Sequence, residues 1–71
     1  MIDEVPIRGD MIRLGQLLKL SGFAEDGAHA KEILATEQVR VNGELESRRG
    51  RQLVPGDRVH VADRTLVVTS E

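Results

Sequence analysis

The sequence contains no cysteine, no tryptophan and no tyrosine, and Phe23 is its only aromatic residue. Without cysteine there can be no disulfide and no thiolate metal site, a composition that suits a reducing compartment. Without aromatics the core must be built from Leu, Ile, Val and Ala. No apolar run approaches the roughly 20 residues that span a bilayer. The opening Met1-Ile2-Asp3-Glu4-Val5-Pro6 lacks the basic and apolar regions of a signal peptide. The expectation is a soluble cytoplasmic protein that carries its native start. Also missing are a Ser–His–Asp set, a P-loop, a glycine-rich dinucleotide motif and any metal-ligand spacing. No enzyme activity, cofactor, metal or small-molecule substrate is therefore expected.

What remains is 71 residues, enough for one domain over residues 1–71. A chain this short buries only about 60% of the surface it exposes when unfolded, so each core residue matters. The formal net charge is −2, which as a whole does not attract phosphate. Its distribution is uneven. Residues 1–38 hold Asp3, Glu4, Asp10, Glu25, Asp26, Glu32 and Glu37 against Arg8, Arg13, Lys19 and Lys31. Residues 39–64 hold Arg40, Arg48, Arg49, Arg51, Arg58 and Arg64 against Glu44, Glu46, Asp57 and Asp63. The second half is mildly basic through arginine alone, the cation best suited to bidentate phosphate contact and base stacking.

Along the chain, residues 1–9 read as an irregular or strand-like lead-in. Val5-Pro6-Ile7 fits an edge strand, where proline is tolerated, and a frayed terminus fits equally. Asp10 is positioned to cap a first helix from Met11 to about Leu20, with Leu14, Leu17 and Leu18 forming one apolar stripe. Gly22 stands where a left-handed cap ends such a helix. Phe23 is expected to pack inward. Asp26 caps a second helix, Gly27 to about Thr36, striped by Ala30, Ile33 and Leu34. Then come a strand Val39–Val41, a turn at Asn42-Gly43 and a short return through Leu45. A loop over Ser47–Arg51 leads to the Pro55-Gly56-Asp57 turn and a strand Arg58–Ala62. A tight turn at Asp63-Arg64 and a last strand Thr65–Thr69 complete the chain.

The densest chemical signal is Arg48-Arg49-Gly50-Arg51. Three arginines around a glycine can follow a phosphate backbone, the glycine allowing close approach. Such a loop serves equally well as a solvated guard of a sheet edge. The start of the second helix is a further anion site in principle, but Glu25 and Asp26 occupy it, leaving Lys31 one turn on. Lys19 suits the helix dipole where it stands. His29 and His60 read as ordinary surface histidines.

Arg13-Leu14, then Leu17, Leu18 and Lys19, Ala30-Lys31, Val39-Arg40-Val41-Asn42-Gly43 and Pro55-Gly56-Asp57-Arg58-Val59 occur in an order that resembles the S4-type RNA-binding domain, or alpha-L motif. The resemblance covers about residues 11–62. It implies an α+β fold with two helices packed on a small twisted antiparallel sheet. It further implies a non-catalytic, ribosome-associated protein of the small stand-alone bacterial kind, contacting structured RNA, rRNA or tRNA, through a basic surface. Carried over by position, Arg13, Lys31 and Arg40 become RNA-facing residues, Arg48, Arg49 and Arg51 extend that surface, and Lys19 and His29 are weaker candidates. Three departures stand out. Gly15 follows Arg-Leu where the family often has an acid. Glu25-Asp26-Gly27-Ala28 replaces the usual serine and arginines. Thr36-Glu37-Gln38 replaces the usual glycine before the first strand. Together they shift the expected weight of binding toward Arg48–Arg51. The alternative is a β-grasp-like interaction or carrier module without nucleic-acid binding, in which Val-Asn-Gly and Pro-Gly-Asp-x-Val-x-Val also occur. Such carriers end in Gly-Gly, whereas this sequence ends Val68-Thr69-Ser70-Glu71.

Overall fold

A computed structural model describes residues 2–71; Met1, the first residue of the lead-in, lies outside the described residues. The order of elements is β1 (Ile2–Ile7), β2 (Ile12–Arg13), α1 (Leu14–Leu20), α2 (Gly27–Thr36), β3 (Arg40–Val41), β4 (Glu44–Leu45), β5 (Gln52–Leu53), β6 (Arg58–Val61) and β7 (Arg64–Ser70). Five strands form one sheet in the order β1-β7-β6-β3-β4, and β2 pairs with β5 separately. The expected α+β architecture is present, with one refinement: β1 runs parallel to β7, while the other pairs are antiparallel.

Alternation along the strands decides where the core lies. Val5 and Ile7, Val39 and Val41, Val59 and Val61, and Leu66 and Val68 are all buried in one cluster with Leu14, Leu17 and Leu18 of α1 and Ala30, Ile33 and Leu34 of α2. One face of the sheet therefore carries both helices. The intervening residues, Arg40 and Arg58 among them, point to the other face. At about 1.5–3 kcal/mol for each large aliphatic side chain removed from water, this cluster supplies the main driving force for folding.

The lead-in forms a real strand because Ile2–Ile7 finds a full partner in Thr65–Ser70. Pro6 is accommodated because β1 is an edge strand and needs donors on one side only. An ion pair between Arg64 and Asp3 fastens the two ends of the chain, and the same guanidinium lies 5.5 Å from the Phe23 ring centroid. Phe23 packs against the core as expected.

The first helix starts later than its sequence suggests. Asp10 does not cap it. Ile12 and Arg13 pair with Leu53 and Gln52, and the helix begins at Leu14. Its first two N–H groups donate to loop carbonyls, Leu14 to Arg51 at 2.8 Å and Gly15 to Arg49 at 2.9 Å. These non-local acceptors do the work of a cap residue. Gly22, at φ 83°, ends the helix as expected, and its N–H donates to the Lys19 carbonyl. Asp26 caps α2 by accepting the His29 N–H. The last hairpin turns at Ala62-Asp63, since Val61 pairs with Arg64; the expected turn at Asp63-Arg64 and strand end at Ala62 each shift by one residue.

Asn42 and Gly43 have φ of 52° and 90°, the paired positive angles of a two-residue hairpin. Asn42 does more than turn the chain. Its Nδ2 donates to Asp57 Oδ1 at 3.0 Å, and its Oδ1 accepts the Arg58 N–H at 3.0 Å. Asp57 Oδ2 in turn accepts the Val54 N–H at 2.9 Å. The Asn-Gly and Pro-Gly-Asp turns are thus two halves of one clamp. Asn42→Ala is expected to lower the unfolding free energy by about 1.5 kcal/mol, through lost side-chain bonds and a left-handed backbone that alanine resists. In urea denaturation this appears as a lower midpoint at unchanged slope; an unchanged midpoint would show that the clamp contributes nothing.

Candidate nucleic-acid interface

The site is assembled where three segments meet: the start of α1, the start of α2 and the loop between β4 and β5. A groove of about 370 Å³ there is lined by Arg13, Gly15, Gln16, Lys19, Gly27, Arg49 and Gly50. Three lining residues are cations and none is acidic, although the protein as a whole carries a net charge of −2. Three glycines leave the backbone open to approach.

Each cation reaches the groove for a local reason. Arg13 ends β2, and its Nη1 donates to the Gly50 carbonyl at 3.1 Å, while its backbone N–H donates to Gln16 Oε1 at 3.2 Å. Lys19 follows Gly15 by four residues and so projects from the same side of α1. Arg49 is carried in by the loop, and its Nη1 donates to the Gly27 carbonyl at 3.3 Å. Lys31, four residues after Gly27, stands exposed on the same side of α2 one turn beyond the groove.

The other two arginines of the loop are differently employed. Glu46 is buried, and its carboxylate collects four hydrogen bonds: the Arg48 N–H, Nε and Nη2 at 3.1–3.2 Å, and Arg51 Nη1 at 2.8 Å. The Arg48 guanidinium, the Arg51 guanidinium and the Arg48 N–H, in that order, hold the Glu46 carboxyl down at about 2 against the opposing effect of its burial. Glu46 raises the Arg48 pKa in return, first by hydrogen bonding and then by its charge. Two of the three clustered arginines are therefore partnered by an acid, and Arg49 is the one that turns into the groove.

Arg40 and His29 stand apart from the groove. The pleat turns Arg40 to the sheet face opposite Val39 and Val41, where its Nη1 donates to the Gly43 carbonyl at 3.1 Å. His29 is half-buried, and its Nδ1 accepts the Glu25 N–H at 2.9 Å while its own backbone N–H donates to Asp26. This reciprocal pair closes the loop into α2.

Glu46 and Gln16 escaped sequence reasoning. The available signal for Glu46 was an acid two residues before Arg48 and five before Arg51. Among the described residues no group of three His, Asp or Glu side chains is placed to hold a metal ion, and no helix is long and apolar enough to cross a membrane.

Comparison with known proteins agrees with this architecture. A family model described as the S4 domain matches residues 5–69. The chain is 43% identical over 61 residues to a Bacillus subtilis protein named "Probable ribosome maturation protein RlbA", covering 86% of each chain. It is 39% identical over 59 residues to an Escherichia coli protein named "Putative RNA-binding protein YbcJ", covering 83% of this chain and 84% of that one.

Proposed function

Because the chain belongs to the S4 domain family, we propose that it is a non-catalytic RNA-binding protein that holds structured ribosomal RNA in the groove between its two helices. The observation that carries this reading is the charge pattern of that groove: Arg13, Lys19 and Arg49 with no carboxylate among the lining residues. Guanidinium and ammonium groups arranged around exposed backbone suit phosphates rather than base edges, so recognition proceeds by the shape of the RNA. Lys31 lengthens the cationic track along α2. Arg48 and Arg51, tied to Glu46, hold the loop in shape and present their outer edges to the same RNA. Arg40 belongs to the opposite face, and His29 supports the loop before α2. The printed name of the E. coli relative, "Putative RNA-binding protein", supports RNA as the ligand class, and that of the B. subtilis relative, "Probable ribosome maturation protein", supports placing that RNA on the ribosome.

The test is a titration of a fluorescein-labelled RNA stem-loop, and of purified 16S and 23S rRNA, at several salt concentrations. Phosphate contacts by the three groove cations alone imply an affinity that falls at least roughly 20- to 40-fold between about 50 and 200 mM salt. Absence of binding, or binding insensitive to salt, contradicts the reading.

A further inference from the structure

Gly15 lies beneath the Arg49 side chain. A Cβ placed on Gly15 would overlap Arg49 Cγ and come within 3.0 Å of Cδ, while the Arg49 carbonyl oxygen would sit at an ordinary 3.5 Å. The obstruction is thus the arginine stem alone; the loop backbone leaves room. Gly15 is buried within a regular helix and does not have a positive φ, so its backbone does not require glycine. What the missing side chain provides is the bed in which Arg49 lies. From that bed the guanidinium crosses the first turn of α1 and reaches the Gly27 carbonyl at the start of α2. The backbone supports the same placement, since the Gly15 N–H donates to the Arg49 carbonyl at 2.9 Å.

We propose that Gly15 is a positioning residue for RNA binding, which seats Arg49 across the junction of the two helices and presents it as a pre-ordered phosphate contact. This rests on the groove being the RNA site. Any side chain at position 15 lifts the Arg49 stem out of the groove, and the guanidinium then loses its hold on the Gly27 carbonyl. An arginine already ordered before binding gives up less conformational freedom on meeting phosphate than one swinging from a loop.

The experiment compares wild type, Gly15→Ala, Arg49→Ala and the double variant. Affinity for a fluorescein-labelled RNA stem-loop is read by anisotropy over a salt series, and stability by thermal melting. Gly15→Ala is expected to weaken binding about tenfold, the loss of one charge-assisted contact. It should also make the salt slope shallower by a little under one, as the loss of one phosphate contact requires. Arg49→Ala should do the same, and the double variant should bind no worse than either single one. The Tm of Gly15→Ala should equal or exceed that of wild type, because alanine is the better helix former. If instead Gly15→Ala melts lower but regains its Tm when Arg49→Ala is added, the seating is equally supported, since removing the arginine relieves the overlap. Gly15→Ala binding like wild type overturns the proposal, as do additive losses in the double variant or a Tm loss that Arg49→Ala does not rescue. Wild-type protein that binds no RNA at any salt overturns the functional reading itself. That failure is recognisable because no variant then has an affinity to lose, while non-additive melting still reports the contact between Gly15 and Arg49.

Discussion

Glu46→Ala will lower the stability of this protein by about 2 kcal/mol and its Tm by roughly 10 °C. The carboxylate is the common acceptor for the Arg48 N–H and two guanidinium groups. Removing it leaves the Arg51 side chain, 33% exposed, with a charge turned toward a site that no longer answers it. The effect spreads because residues 46–51 also supply the carbonyls that receive the first N–H groups of α1. The same carboxylate gives stability a pH dependence of known sign. Its folded pKa of about 2 lies below the ordinary value of 4.5. The stabilisation is therefore complete above about pH 4.5 and is lost as pH falls toward 2. Because the Arg48 side chain is 75% exposed, solvent screening reduces the full shift to about 1–2 kcal/mol. Chemical denaturation of wild type and Glu46→Gln at a series of pH values isolates this contribution. The difference between them is expected to be widest above pH 4.5 and to close toward pH 2; a constant difference would show that Glu46 does not titrate with the fold.

The largest expected effect on RNA is that of Arg13→Ala combined with Arg49→Ala. Each guanidinium offers charge-assisted hydrogen bonds to phosphate, and losing both costs about 3 kcal/mol, or on the order of 100-fold in affinity. The two arginines approach the groove from different elements, Arg13 from the end of β2 and Arg49 from the loop, so each contributes in the absence of the other. Arg40→Ala with Arg58→Ala makes the informative contrast. Those two arginines are exposed on the outer face of the sheet, and their removal should lower affinity less at equal loss of formal charge. The comparison is read from RNA titrations of both double variants at one salt concentration. Equal losses would mean that net charge alone governs binding and that the groove has no special standing.

Much of this fold can be read locally. Asp26 before Gly27, the stripes of Leu14, Leu17 and Leu18 and of Ala30, Ile33 and Leu34, and Asn42-Gly43 between alternating valines each encode their conformation within a few residues. What escapes such reading is non-local. β1 exists because Ile2–Ile7 finds a partner more than sixty residues away. The start of α1 moves to Leu14 because Ile12 and Arg13 are drawn into pairing with Leu53 and Gln52, two strands too short to have any pattern of their own. The candidate site divides in the same way. Arg48-Arg49-Gly50-Arg51 is visible as a concentration of charge, but no feature of the sequence separates Arg49 from its neighbours. That distinction arises because the chain buries Glu46 between Arg48 and Arg51 and leaves a hollow above Gly15. The departure at Gly15 is plain in the sequence, yet its use becomes evident only when the Arg49 stem is seen lying over it.

Entry of RNA into the groove where α1, α2 and the β4–β5 loop meet is tested most directly by amide chemical-shift mapping of isotope-labelled protein during titration with an RNA stem-loop. The expected result is a contiguous set of perturbed amides at Arg13, Gly15, Gln16, Lys19, Gly27, Arg49 and Gly50, extending to Lys31, with the outer sheet face at Arg40, Arg58 and His60 unchanged. Perturbations confined to that outer face, with the groove silent, would contradict the account.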